Sequence, residues 1–337
     1  MPKELSHLIF SDRALNIIEK TCPEKGTILR THYDLYLLGS IIPDTAFYDL
    51  PLFMKNKSIS FLSHRVHTNR GGLDKVFLTR ALEEGISGSD ENFAFCCGLI
   101  SHQWADSLFH PFIVYFTGNY FHPDLAERKR AQARHRFLEG LVDLKLMAHY
   151  FPQGEFSPAS VTGRLKAMKP PPSCLSLFVR SVPAQDEKRR TEEMVLRLDK
   201  ARLFQLRLLS LYGNNFFRQF ILLVNRLSGN RFEDHAALLY GDKASLSLNI
   251  LNEECHFKDP WSGQAMKGSI TGLAKEVLHN LTGSIKTYGE ARKYSRPFLP
   301  ADLFVACGED KGDEALEDCL DTGEMDKFLK RFLNLKG

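Results

Sequence analysis

The segment His102-Gln-Trp-Ala-Asp106-Ser-Leu-Phe-His110-Pro111 constrains this chain more than any other. It ends the run FAFCCGLISHQWADSLF, whose apolar residues, Phe93, Phe95, Leu99, Ile100, Trp104, Leu108 and Phe109, demand burial in a helical core. Four residues along a helix advance the azimuth by about 400°, a net of roughly 40°. His102, Asp106 and His110 therefore share one face within a spread of roughly 80°. A carboxylate in so apolar a helix is costly to bury without a partner. Zinc requires imidazole nitrogens and carboxylate oxygens converging at about 2 Å, so a metal is the natural partner. The same geometry recurs in His135-Arg-Phe-Leu-Glu139. One such pair alone is usually a surface ion pair or a capped His. Two within 40 residues, one extended by a third His, point to a metal site; such motifs on neighbouring helices can fill one site and begin another, and a shared carboxylate such as Asp106 is a common bridge between metals.

The rest of the chain reads as all-α. Ser11 caps a helix through Arg13, Ala14, Leu15, Ile17 and Ile18, which Gly26 ends. Residues 34–42 form an apolar patch that Pro43-Asp44 breaks. Ser87-Gly88-Ser89-Asp90 starts the helix carrying His102, and Pro111 predicts its stop near His110. Periodicity predicts further helices over 125–150, from Met194 to Leu211, over 215–227 and over 264–293. SLSLNI at 245–250 is a rare alternating stretch. Lys169-Pro170-Pro171-Pro172 reads as a polyproline linker. The division expected is a metal-binding helical core at 1–155, a Pro-containing linker at 156–184 and a helical C-terminal region of unknown role at 185–337. No internal repeat is present.

Bulk properties exclude several classes. With 44 Lys and Arg against 41 Asp and Glu, the net charge of +3 gives no argument for nucleic acid or an anionic membrane. There is no signal-peptide pattern and no run of about 18 apolar residues. The most apolar window, Phe216 to Leu227, is interrupted by Arg218, Gln219, Asn225 and Arg226. No lipid anchor or strongly basic amphipathic surface helix stands out. Seven cysteines, an odd number without a CxxC, read as reduced thiols and a cytoplasmic location.

Weaker candidates lie upstream: His7, Asp44 after Pro43, and His64 or His67 in SHRVHTNRGG. In this order the residues resemble the zinc-dependent phospholipase C family, and best its soluble bacterial members. The matching pieces are SHLIF with His7, LGSIIPDTAFY with Asp44, SHRVHTNRGG with His67, then GLISHQWADSLFHPFIVY and ARHRFLEGLVD. DPWSGQAMKGSITGLAKEVL resembles a Trp-containing loop and helix of the same relatives. The resemblance implies a multi-helix bundle with a helical C-terminal extension and two or three zinc ions. It implies His67, His102 and Asp106 around one metal, His110, His135 and Glu139 around a second, and His7 with Asp106 at a third. Asp44 would be a ligand or the general base. The gap from Asp106 to His110 is tighter than in the secreted phospholipases and matches the soluble relatives. Single-strand zinc nucleases are implied as a related chemistry.

The function expected is hydrolysis of a phosphate ester, small-molecule or lipid, by metal-activated water. Arg128, Lys129, Arg130, Arg134 and Arg136 offer either a phosphate-attracting or a solvated basic face. A nucleotide or single-strand nucleic-acid phosphodiesterase needs base stacking, for which Trp104, Tyr115, Phe116 and Tyr120 are available, although a helical core explains them equally well. A non-catalytic metal-binding interaction protein is a third reading, disfavoured because structural zinc sites are usually Cys-rich.

Overall fold

An apolar helix with donors on one face needs neighbours all round, and the chain supplies them as further helices. The computed structural model describes residues 3–49, 58–67, 73–120, 122–183, 191–240, 249–261 and 263–293, with 322, 325, 326, 329, 330 and 333. Among the described residues the helices in chain order begin with α1 (Glu4–Thr21), α2 (Pro23–Thr31), α3 (Tyr33–Thr45), a 3-10 turn (Ala46–Tyr48) and α4 (Phe61–Val66). Next come α5 (Leu73–Ile86), α6 (Asp90–Thr117), α7 (Leu125–Tyr150), α8 (Pro158–Ala167), α9 (Pro172–Ser181) and α10 (Thr191–Leu211). The last are α11 (Asn215–Leu227), α12 (Glu233–Ala236), α13 (Asn249–Asn252) and α14 (Ile270–Lys293). The fold is all-α, as expected, with one antiparallel hairpin of β1 (Cys255–Lys258) and β2 (Ala265–Gly268), which pairs Cys255 with Gly268.

α6 is the axis. Ser89 caps it by accepting from Asn92 N, and nearly every residue from Phe93 to Thr117 is buried. α3 crosses it at a glycine pair: a Cβ on Gly98 would lie 2.6 Å from Gly39 Cα, and one on Gly39 would strike the Phe95 carbonyl. Only glycine at both positions lets the two backbones approach this closely. That approach brings the C-terminal turn of α3, with Asp44, against the His102–Asp106 turn of α6. α14 covers another side, where Trp104 Nε1 donates to Ser284 Oγ at 2.9 Å. One hydrophobic core takes residues from α1, α3, α6, α7, α9, α10 and α14.

Several sequence expectations need correction. α6 does not stop near His110 but runs through Pro111 to Thr117, and Pro43 likewise lies inside α3. An internal proline costs about 3 kcal/mol. Burying Phe112, Ile113 and Phe116 beyond Pro111 outweighs that, at about 1.5–3 kcal/mol per large side chain. Ser11 does not cap the first helix: α1 starts at Glu4, His7 lies within it, and Ser11 Oγ donates to Ser101 Oγ inside the core. Gly26 does not end that helix but sits within α2.

The segment expected as a Pro-containing linker, 156–184, is described over 156–183 and is largely helical there. It holds α8 and α9, and Cys174, Leu175, Leu177 and Phe178 of α9 are buried. Its proline run is confined to the break before α9, where Pro172 occupies the first helical position and its missing N–H costs nothing. The first residues of 264–293 form β2 rather than helix. Of the alternating stretch 245–250, residues 245–248 lie outside the described residues, and Asn249 and Ile250 open α13.

Candidate metal centre

Four elements converge on one buried point. α1 brings His7, α3 brings Asp44, the residue after α4 brings His67, and α6 brings His102 and Asp106. His67 Nδ1 donates to the Ser63 carbonyl at 2.6 Å, and His102 Nδ1 donates to the Ser40 carbonyl at 2.9 Å. These bonds fix both tautomers and leave both Nε2 atoms as acceptors, 3.0 Å apart. Two acceptors that close require a proton or a metal between them, and an anchored Nδ1–H is how metal-ligating histidines are oriented.

The carboxylates lie in the same space. Asp106 Oδ2 is 3.3 Å from His102 Nε2 and 3.4 Å from His67 Nε2, while its Oδ1 is 3.4 Å from His7 Nε2. Its two oxygens thus serve different imidazoles, the geometry of a bridging carboxylate. Asp44 Oδ1 is 3.2 Å from His67 Nε2, and Asp44 Oδ2 is 4.0 Å from His7 Nε2. His7 stacks on His102 with ring centroids 4.2 Å apart. Two sets of donors, His7–Asp44–His102 and His67–His102–Asp106, have their ligand atoms within 4.8 Å of one another.

A second group adjoins the first. His135 Nε2 is 3.1 Å from Glu139 Oε1 on α7, and the His110 ring lies 6.0 Å from the His135 ring. Among the described residues these three do not form a set as close as the first two. Two aromatic rings from outside the paired motifs wall this group: Tyr120 is 5.1 Å from His135, and Trp261, at the tip of the β1–β2 hairpin, is 6.2 Å from His110. His64 is exposed, with its ring edge against Phe47, and belongs to neither donor set.

Burial shapes the charges. Burial, reinforced by His102, holds His7 down at about 3, so it is neutral. Burial also pushes His110 and His135 below the ordinary range. At His102 burial opposes the proton, but Asp106, Asp44 and the Ser40 carbonyl outweigh it and raise the group to about 9. Burial resists ionisation of Asp106 too, yet His102, His110 and His7 hold its carboxyl well below the carboxylate range.

The donor set fits zinc. His7 Nδ1 and Nε2, Asp44 Oδ1 and Asp106 Oδ1 are buried without a hydrogen-bond partner. Each such atom costs about 1–3 kcal/mol. Native cores rarely gather them at one place unless a ligand takes them up. Imidazoles with carboxylates, and no cysteine, are a nitrogen and oxygen set suited to Zn²⁺ in an open site.

Four of the five basic candidates on α7 are engaged in ion pairs and hydrogen bonds; Lys129 is exposed. Arg128 donates to the His122 carbonyl, Arg130 pairs with Glu127, Arg134 forms a two-pronged pair with Asp326, and Arg136 pairs with Asp234. Trp104 and Phe116 are core residues. The orienting carbonyls of Ser40 and Ser63 had no sequence signal beyond, for Ser63, the i to i+4 spacing to His67. Nor did the buried polar group beside the site, in which Tyr48 donates to Glu4, Gln205 Oε1 accepts from Thr45, and Asp143 accepts from Ser6 N and from Tyr240. Burial and the surrounding charges leave Lys3 lowered to about 8 and Asp143 raised to about 7.

A family model described as zinc dependent phospholipase C matches residues 6–191, more than half of the chain and a span that includes the eight candidate ligand positions. Comparisons with curated proteins and with solved structures gave no match. No helix among the described residues is long and apolar enough to cross a membrane.

Proposed function

Because the chain belongs to the zinc-dependent phospholipase C family, we propose that it hydrolyses a phosphodiester at this centre, with a lipid phosphoester as the substrate class. The observation that carries the reading is the Asp106 carboxylate set between His7 on one oxygen and His67 with His102 on the other. His7, Asp44, His67, His102 and Asp106 would hold zinc on one side, and His110, His135 and Glu139 on the other, two or three ions in all. Bound zinc supplies a Lewis acid for a phosphoryl oxygen and a lowered pKa for water.

The chain's own residues do the rest. Asp44, with Oδ1 buried and without a hydrogen-bond partner, orients the attacking water and takes its proton. The Ser63 and Ser40 carbonyls keep His67 and His102 in the ligand tautomer. Tyr120 and Trp261 form an aromatic wall for the ester beside the His110–His135 side. Placement of Trp104 and Phe116 in the core removes two of the four rings on which a nucleic-acid reading depended. The buried thiols Cys96, Cys97 and Cys174 fit a cytoplasmic setting.

The test is turnover of bis(p-nitrophenyl) phosphate and of phosphatidylcholine by zinc-loaded protein. Hydrolysis of either, lost on chelation and restored by zinc, supports the reading. Zinc-loaded protein inert on both contradicts it.

A further inference from the structure

α11 breaks the ordinary burial rule in a regular way. Its sequence NFFRQFILLVNRL holds Phe216, Phe220, Leu223 and Leu227 at spacings of four, three and four residues. Those spacings keep the four side chains within roughly 60° of azimuth. They are 84%, 54%, 54% and 79% exposed. The opposite side carries Arg218 and Asn225, and both are buried. A surface helix normally turns its apolar stripe to the core and its polar face to water. Single exposed apolar residues need no explanation, but a contiguous stripe marks a contact surface.

Asn214 caps the helix, and Asn225 ties its buried side to the segment that follows. The Asn214 side chain accepts from Phe217 N at 3.0 Å, and Asn225 Oδ1 accepts from Phe232 N at 3.0 Å. Flanking Phe217, Ile221 and Leu222 pack on the core. Rotating the helix to hide the stripe would strand Asn225 and expose that packing.

Charge selects the partner. α11 contains no Asp or Glu, while Arg226 on its flank and Arg231 just after it are exposed. A stripe of Phe and Leu rimmed by guanidinium groups suits an anionic bilayer surface: the apolar side chains enter the acyl boundary and the arginines stay among the headgroups. A second copy packing α11 on α11 would bring like charges together with no acid on the helix to neutralise them. The segments flanking the helix contact the start of α1, which carries His7, and α7, which carries His135. Before it, Tyr240 N donates to the Tyr212 carbonyl, and the Lys3 ammonium lies 3.8 Å over the Tyr212 ring. After it, Asp234 pairs with Arg136, the neighbour of His135.

We propose that α11 is a docking surface for a bilayer containing anionic lipid, one that seats the metal centre at its phosphoester; that second clause rests on the proposed hydrolase function. The test is co-sedimentation of the full chain with vesicles of phosphatidylcholine alone and of phosphatidylcholine mixed with phosphatidylserine, beside turnover of bis(p-nitrophenyl) phosphate. Wild type sediments with the mixed vesicles. The double variant Phe216→Ser/Leu223→Ser loses at least roughly tenfold in vesicle affinity, from two large side chains no longer buried in lipid. Arg226→Gln/Arg231→Gln loses the preference for mixed over plain vesicles. Both variants keep the soluble-ester turnover of wild type. Wild type left in the supernatant, or the apolar variant sedimenting as strongly as wild type, overturns the proposal. So does a wild-type dimer in analytical ultracentrifugation that the same apolar substitutions dissociate. Vesicle binding without turnover of any ester overturns the hydrolase reading and upholds the docking surface.

Discussion

α6 and α11 depart from ordinary helix patterning in opposite directions. α6 sinks His102, His110 and Asp106 into an apolar surround, whereas α11 lifts four large apolar side chains into water. In α6 the departure is held by tertiary contacts: the Gly39–Gly98 crossing, the Ser40 carbonyl and the stacked His7 ring. In α11 it is held by the bond of Phe232 N to Asn225 and by Phe217, Ile221 and Leu222 packed on the core. Buried charge costs free energy unless a counter-charge is supplied, and exposed apolar area costs it unless something covers it. Both helices therefore call for a partner, one a cation and the other an apolar surface.

The sharpest way to separate the two is at Asp44. Asp44→Asn lowers kcat by about 10²–10⁴, the usual worth of a general base, with vesicle binding unchanged. Steady-state kinetics beside sedimentation reads both, and an unchanged kcat removes Asp44 from the chemistry. Next comes Gly98→Val, which forces α3 from α6 and destabilises the fold by about 3 kcal/mol in a denaturation midpoint. A midpoint equal to wild type would mean the close crossing is not what assembles the site.

Acidity probes the α6 side alone. In metal-free protein His7 sits at about 3, far below its unfolded value near 6.5, so the unfolded chain takes protons that the native state refuses. Stability then falls as pH drops from about 6.5 towards 3. His102, raised to about 9, has the opposite sign: its contribution is complete below about 6.5 and is lost as pH rises through 9. Chemical denaturation in chelator should give a bell-shaped profile, and a flat one breaks the account of the buried donors.

Trp261→Ala is expected to raise KM for the ester by roughly tenfold with a smaller change in kcat, the signature of lost binding in both ground and transition state. Equal KM would place the hairpin outside the substrate's reach. The smallest effect is on α11: Phe216→Ser or Leu227→Ser should shift folding stability by no more than about 0.5 kcal/mol. A loss of several kcal/mol would mean the stripe is covered by the protein itself and the contrast with α6 is false.

Legibility from sequence follows the range of the forces involved. α7, α10 and α11 fall where periodicity places them, because Asp124 and Asn214 cap α7 and α11 locally and each helix has a packed side. Pro43 and Pro111 mislead, since the burial that carries a helix past them comes from other elements. The spacing of His102, Asp106 and His110 discloses a shared face, but not that His7 stacks there or that Ser40 orients a ring from 62 residues away. In α11 the apolar stripe is readable and its outward turn is not, because which side of a helix meets the core is decided by neighbours the periodicity does not contain.

The most direct test of the central claim is zinc per chain, by elemental analysis of protein purified without a metal-affinity tag, wild type beside Asp106→Ala. The account predicts two or three zinc in wild type, falling sharply when the carboxylate between His7 and the His67–His102 pair is removed. Zero or one zinc, unchanged in the variant, would contradict a shared-carboxylate centre.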